Sequence, residues 1–219
     1  MSTSLLDDWA DWAPRLLDGL GLSLKVTGLS LAIGLTLGLV LALWSSAKRL
    51  PVRLPAIVLV EVGRGMPALV MLQLIYFGLP DAGLTLETFP AVVVALSLTT
   101  AAYTSEIIRA GLRAVPSGQL EAASALGMSG GDTQRFVVIP QGLRIALPTL
   151  MGFAILIFQI SALAYSVGLP ELLSQAYSVG AATYRYLDVL VLAGLFYLAV
   201  TIPASWLVAR LERRLNRHL

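Results

Sequence analysis

The sequence predicts an all-α integral membrane protein with five transmembrane helices, and three observations support this fold class. Of 219 residues, 57% are hydrophobic and 13% are charged, whereas a soluble domain carries about 25% charged residues. Five apolar stretches approach the roughly 20 residues that a helix needs to cross a bilayer. Basic residues gather between alternate stretches, as a fixed membrane orientation requires. We therefore expect residues 1–219 to form one membrane domain.

The five predicted spans are joined by short connections. The second span is apolar apart from Glu61 and Arg64, the third is the shortest, and the other three carry no charge. Each is expected to form one transmembrane helix. They are Val26–Ala47, Leu54–Pro80, Thr88–Ser105, Ile145–Pro170 and Val189–Ala209.

The segment that precedes the first span, residues 5–22, mixes apolar and acidic side chains. Trp9, Trp12 and pairs of leucines alternate with aspartates, and no basic region precedes the apolar stretch. It is therefore not typical of a cleavable signal peptide. We expect an extracytoplasmic helix at the membrane surface, with its tryptophans at the level of the headgroups.

The basic residues predict an external N-terminus and a cytoplasmic C-terminus. In that orientation Arg15, Lys25 and Arg185 lie outside, and most of the others lie in the cytoplasm. The cytoplasmic set is Lys48, Arg49, Arg53, Arg109, Arg113, Arg135, Arg144, Arg210, Arg213, Arg214 and Arg217.

Glycines in the first span indicate where another helix can approach it closely. Gly34 and Gly38 have the spacing that allows close packing of membrane helices, and Gly28 lies nearby. The alternative is that these glycines face lipid without a packing role.

Residues 114–140 form the longest cytoplasmic connection. Pro116 ends the helix that leaves the third span, Ser117 is a candidate cap, and Gly127 is a candidate left-handed terminator. A second helix starts at Ser129 or Asp132 and ends near Pro140. The pattern predicts a pair of short helices on the membrane surface. Alanines keep one side of the first helix slim enough to enter a groove; they are Ala122, Ala123 and Ala125.

This loop resembles the EAA loop of bacterial ABC importer permeases. The resemblance rests on Glu121-Ala122-Ala123, Gly127 and Ile139-Pro140. Further motifs are similar to those of the polar amino-acid uptake family, in the same order, over about residues 20 to 215. They are Arg64-Gly65-Met66-Pro67, residues 76–80, 101–109, 115–119 and 168–172.

The resemblance implies a type I ABC importer permease fold, with a cytoplasmic coupling helix that docks on a nucleotide-binding ATPase subunit. It also implies a second permease subunit, with a heterodimer favoured over a homodimer, and an extracytoplasmic solute-binding protein. The chain itself would bind no cofactor, with ATP and magnesium held by the ATPase. The location would be the bacterial inner membrane, and the cargo polar amino acids or similar small solutes.

Uncharged polar residues within the spans are candidates for the substrate pathway, with helix packing as the alternative role. They are Gln73, Thr100, Tyr103, Gln159 and Ser161. The Gln159–Leu163 segment departs from the Lys-Asp-Thr-Ser-Leu typical of the family. We therefore expect substrate recognition to differ from the usual pattern, or the partner permease to carry more of it.

Two charged pairs lie near the cytoplasmic ends of spans. Glu61 and Arg64 are three residues apart, as are Glu106 and Arg109, so each pair shares one helix face. Structural ion pairing and a gating role both remain open. Phe153 is a candidate apolar gate, with core packing as its alternative.

The sequence has no features of an enzyme. It lacks a Gly-x-x-x-x-Gly-Lys-Ser/Thr phosphate loop, a Ser/His/Asp set and cysteines, and its single histidine offers no metal cluster. A net charge of +2 gives no support for nucleic-acid binding. The remaining alternatives are a secondary transporter or channel subunit working without an ATPase, and a structural membrane protein. Such transporters usually carry paired repeats, and none is visible here.

Overall fold

The structure, a computed structural model, describes residues 5–47 and 49–215, and these form helices without strands. Lys48 and Arg217 of the predicted cytoplasmic set lie outside the described residues. Four helical stretches are long and apolar enough to cross a membrane, and a bent helix pair adds a fifth. The all-α membrane prediction is thereby confirmed, while the orientation of the termini stays a prediction. The helices are α1 Leu5–Ser45, α2 Leu50–Gly65, α3 Ala68–Gln73, α4 Thr88–Arg113, α5 Ser117–Ala125, α6 Gly130–Asp132, α7 Ile139–Ile160, α8 Leu172–Thr183 and α9 Tyr186–Leu215.

The N-terminal segment is helical, but it is not a separate helix. Residues 5–22 continue without a break into the first span as α1, which has 41 residues. At 1.5 Å per residue α1 is about 60 Å long, roughly twice the hydrocarbon thickness of a bilayer. No proline occurs between residues 15 and 45, so no residue there forces the expected break. That residues 5–22 lie at the membrane surface stays a prediction.

The second predicted span is broken in the middle. α2 and the stretch Ala68–Gly78 are bent by 104° at the Arg-Gly-Met-Pro motif, so the prediction of one helix over Leu54–Pro80 was wrong. Pro67 has no N–H to continue the helix and disfavours helical torsions in the preceding residue. Met66 is accordingly extended, with φ −89° and ψ 128°.

α1 and α4 form the central helix pair. A Cβ atom added to Gly34 would lie 2.4 Å from Cβ of Thr100, and one added to Gly38 would lie 2.1 Å from Oγ1 of Thr104. These distances leave no room for a side chain, which confirms the close-packing prediction for the two glycines. Gly28, on the same helix, has no neighbour within 4 Å of its added Cβ.

The fourth span begins earlier than the sequence indicated. From Gly130 the chain runs through a wide π-helical turn, Thr133–Val138, directly into α7. The second short helix therefore does not end near Pro140. Pro140 is the second residue of α7, just after this π-helical turn, so it lies within a continuous helical stretch. The span then closes with a 3₁₀ segment, Ser161–Val167, and Gly168 at φ 77°.

Glu171 joins three helices from within the protein. Its fully buried carboxylate accepts hydrogen bonds from the backbone N–H groups of Leu173 and Ser174, at 2.9 and 2.8 Å. The hydroxyls of Ser23 on α1 and Tyr197 on α9 donate to it at 3.3 Å each. Burial raises the pKa of this carboxyl, although the hydrogen bonds oppose the shift. The sequence around Glu171 gave no sign of this role.

Candidate coupling and translocation site

The predicted coupling helix is present as α5, with ends that differ in detail from the sequence-based expectation. Pro116 occupies the N-cap position, and Ser117 is the first residue of the helix. No side chain caps the helix at this end, so the predicted Ser117 cap was wrong. At the other end Gly127 is left-handed, with φ 74°, as expected. The backbone N–H of Gly127 donates to the carbonyl of Ser124, and the backbone N–H of Met128 donates to the carbonyl of Ala123. These two bonds satisfy carbonyls in the last turn of the helix.

One side of α5 faces away from the rest of the chain. Glu121, Ala122 and Ala125 are exposed, and Leu126 just beyond the helix has 82% of its surface exposed. Ala123 lies on the opposite side and is 3% exposed, so it cannot belong to the slim outer face expected of the three alanines. The outer face is small and apolar with one carboxylate, and Leu126 is its most prominent apolar side chain.

Residues at both ends of the coupling loop pack into one apolar cluster. Val115 precedes α5 and Val138 precedes α7, and both pack with Ala42, Ile108 and Leu112, which come from α1 and α4. Ile139 packs against this cluster, whereas Pro140 is exposed.

A side-chain bond also links α5 to α7. Nε2 of Gln141 donates to Oε1 of Gln119 at 3.3 Å. With the shared cluster, it makes α5 part of a connected unit with the ends of two spans.

α4 and α7 touch backbone to backbone next to this cluster. A Cβ added to Gly111 would lie 2.4 Å from the carbonyl oxygen of Gly142. One added to Gly142 would lie 2.7 Å from Cα of Leu112. The two glycines thus fix the crossing from which the coupling loop departs.

The two predicted charged pairs form one network across two helices. Nη1 of Arg64 lies 3.6 Å from Glu61 and 3.8 Å from Glu106. Glu106 also accepts a hydrogen bond from Nη2 of Arg109. Glu106 is thus shared by two guanidinium groups, and it connects the end of α2 to α4 just before the break at Pro67.

Replacing Glu106 with glutamine is expected to destabilise the protein, because two arginines lose their shared carboxylate. The Glu106 side chain is 23% exposed, so we expect a loss of about 1–2 kcal/mol in unfolding free energy. The measurement is the thermal unfolding midpoint in detergent. The matched control is Glu61→Gln, whose side chain is 61% exposed and whose effect should be within about 0.5 kcal/mol. Equal effects for the two variants would contradict the shared role of Glu106.

The structure separates the predicted pathway residues into two groups. Thr100 and Ser161 are buried between helices; Ser161 donates to its own helix at the Phe158 carbonyl. Both positions are typical of packing. Gln73 and Gln159 are exposed on the surface of the chain. A pathway role for any of them stays a prediction.

Tyr103 and Phe153 connect the broken helix to α7. Their rings are stacked with centroids 5.4 Å apart, and the hydroxyl of Tyr103 donates to the Arg64 carbonyl at 3.2 Å. The break at Pro67 removes the usual helical donors near that carbonyl, and Tyr103 supplies one. A gating role for Phe153 stays a prediction.

An exposed, uncharged face runs along α7. Thr149, Gly152, Leu156 and Gln159 are exposed in the described chain, and their spacing places them on one side of the helix. An amide exposed to hydrocarbon would be costly. This face therefore requires a polar environment, either water or another protein.

At the opposite end of the bundle, Arg185 joins the start of α1 to the start of α9. It forms an ion pair with Asp8 and donates to Asp188 at 2.8 Å. Its guanidinium lies 5.2 Å from the ring centre of Trp12, within the range of a cation–π contact. The structure thus brings the N-terminal segment and the α8–α9 turn together.

Known proteins resemble this chain over nearly its whole length. The family model described as "Binding-protein-dependent transport system inner membrane component" matches residues 34–217. The arginine transport system permease protein ArtQ of Bacillus subtilis is 40% identical, covering 93% of both chains. The glutamine transport system permease protein GlnP of Escherichia coli K12 is 35% identical, covering 95% of this chain and 98% of its own.

A solved structure described as an amino acid ABC transporter with histidines superposes with a TM-score of 0.91 at 38% identity. It covers 98% of this chain and 100% of that one. The relatives and this structure support a permease that works with an ATPase, and they give no support to a secondary transporter or channel subunit. The chain therefore belongs to the family of binding-protein-dependent transport permeases, the membrane-spanning subunits of ABC importers, and lies within its amino-acid branch.

Proposed function

We propose that this chain carries polar amino acids or similar small solutes across the bacterial inner membrane, as one half of an ATP-driven importer. The observation that carries the proposal is α5, a short helix with a small exposed face that is tied to the ends of two spans. The named relatives transport arginine and glutamine, which differ in side-chain charge, so the proposal extends to the class of polar amino acids only.

In this proposal, separate nucleotide-binding subunits bind ATP and magnesium and hydrolyse the ATP. α5 inserts into a groove on such a subunit, and movement of that subunit tilts the helix. The cluster around Val115 and Val138 and the Gly111–Gly142 contact pass the tilt to α4 and α7. A ligand shifts a conformational equilibrium only through differential contacts with the two states. The nucleotide therefore changes the conformation of the spans only as far as these contacts between α5, α4 and α7 transmit the tilt.

A second permease subunit covers the uncharged face of α7 in the assembled importer. The exposed side chain of Gln159 supports this placement, since a second protein surface or a water-filled pathway provides its hydrogen-bond partners. A related partner is favoured over a second copy of this chain.

An extracytoplasmic solute-binding protein delivers the cargo to the outer surface formed by the start of α1 and the α8–α9 turn. Arg185 holds these two segments together. Tyr184, in the α8–α9 turn, has 88% of its surface exposed.

Reconstitution in proteoliposomes tests the proposal. The chain is assembled with its ATPase, partner permease and binding protein, and uptake of labelled arginine, glutamine and glutamate is measured. We expect accumulation of at least one amino acid that requires both ATP and the binding protein. A matched preparation with a non-hydrolysable ATP analogue should show no accumulation. Equal uptake without ATP would contradict the proposal.

A further inference from the structure

A cavity of about 350 Å³ lies behind the coupling helix, at the junction of four segments. Arg53 reaches it from α2, and Arg109 and Arg113 from the last turns of α4. Ser46 lines it from the end of α1, and Leu120 and Gln134 line it from the coupling loop. The cavity therefore adjoins α1, α2, the end of α4 and the coupling loop.

The charged residues that line this cavity are all basic. Three arginines line it and none of its lining residues is acidic. Arg109 is paired with Glu106 through Nη2, but its Nε is buried without a hydrogen-bond acceptor among the described residues. Arg53 and Arg113 form no ion pair within residues 5–47 and 49–215. Two exposed arginines without an ion-pair partner and one donor without an acceptor, among the described residues, thus lie beside one space.

The location favours a phosphate group over other anions. α1 ends at Ser45 and α4 at Arg113, so the cavity lies where two spans leave the membrane, and the basic residues predict that this is the cytoplasmic side. Guanidinium groups match phosphate oxygens with pairs of parallel hydrogen bonds. Basic pockets between membrane helices at this depth are suited to anionic lipid headgroups.

We propose that the Arg53–Arg109–Arg113 cavity binds a phosphate group, supplied either by an anionic lipid headgroup or by a free phosphate in the cytoplasm. The bound phosphate bridges the α1–α2 turn to the end of α4. It fills the space beside Leu120 and Gln134 and so stiffens the base of the coupling loop. The site is independent of which solute the importer carries.

The experiment measures the thermal unfolding midpoint of the purified permease–ATPase complex in detergent. Dihexanoyl phosphatidylglycerol, dihexanoyl phosphatidylcholine and inorganic phosphate are compared at equal concentrations. We expect phosphatidylglycerol or phosphate to raise the permease midpoint by about 3 °C or more when the site is saturated, and phosphatidylcholine to leave it unchanged. A shift with phosphatidylglycerol alone identifies a lipid headgroup, and a shift with phosphate identifies a soluble anion.

Variants assign the shift to this cavity. The double variant Arg53→Gln/Arg113→Gln should lose it, while Arg210→Gln, which removes an exposed arginine outside the cavity, should keep it. If the double variant does not fold, each single variant is expected to lower the affinity at least threefold in the same titration. The proposal is overturned if no anion shifts the wild-type midpoint, if phosphatidylcholine acts equally, or if the arginine variants retain the wild-type response.

Discussion

Replacement of Leu126 with aspartate is expected to abolish co-purification of the ATPase while leaving the permease folded in the membrane. Leu126 is 82% exposed, so the substitution removes no internal packing. It places a charge at the most apolar point of the outer face of α5, where a partner would have to bury it. Central apolar side chains of an interface carry more than about 2 kcal/mol each when they are hot spots. The affinity should fall at least about thirty-fold.

The measurement is retention of the ATPase by a tagged permease, together with ATP-dependent uptake. Leu187→Asp serves as the control, because Leu187 is also highly exposed, at 76%, but lies at the start of α9. It should retain the ATPase at the wild-type level. If Leu126→Asp retains the ATPase equally well, the outer face of α5 is not the docking surface.

Replacement of Gly34 with valine is expected to disrupt the central helix pair. An added Cβ would already lie 2.4 Å from Cβ of Thr100 and 2.9 Å from the backbone oxygen of Ser97. Relief of these contacts requires α1 and α4 to separate, because neither atom belongs to a flexible side chain. Overpacking of this kind costs about 1–3 kcal/mol, which corresponds to a fall of several degrees in the unfolding midpoint.

Gly28→Val is the matched control for Gly34→Val. It introduces the same side chain on the same helix, where an added Cβ meets nothing within 4 Å. Both variants are compared by thermal unfolding in detergent and by the amount of folded protein in the membrane. A similar loss in both would indicate that valine weakens α1 itself, and that the contact with Thr100 contributes little.

The sequence was sufficient for those features that depend on local chemistry. Spans are recognisable because hydrocarbon demands about 20 apolar residues, and four of the five expected stretches contain an unbroken helix with shifted ends. The helix α5 and the left-handed Gly127 follow from the proline and glycine that flank it. Gly34 and Gly38 were identified as close contacts from their spacing alone, although the sequence could not distinguish them from Gly28.

Features that depend on distant neighbours were missed or misplaced. The buried role of Glu171 was missed, because its partners Ser23 and Tyr197 are far away in the sequence. Glu61–Arg64 and Glu106–Arg109 looked like two independent pairs until the packing of α2 on α4 joined them through Arg64. Pro67 could have predicted the break at Met66, because a proline disfavours helical torsions in the residue before it. The span was instead assigned as one helix because its residues are almost all apolar.

The sequence by itself determined that this protein is a helical membrane permease with a short helix between its third and fourth spans, because hydropathy, helix stop signals and ordered motifs are properties of neighbouring residues. Only the tertiary structure decided which side of each helix faces the protein interior and which side is exposed. It turned Ala123 inward and Leu126 outward, and it gathered Arg53, Arg109 and Arg113 from two helices around one cavity. The physical reason is that a side chain's environment depends on the helices packed against it, which no local pattern specifies.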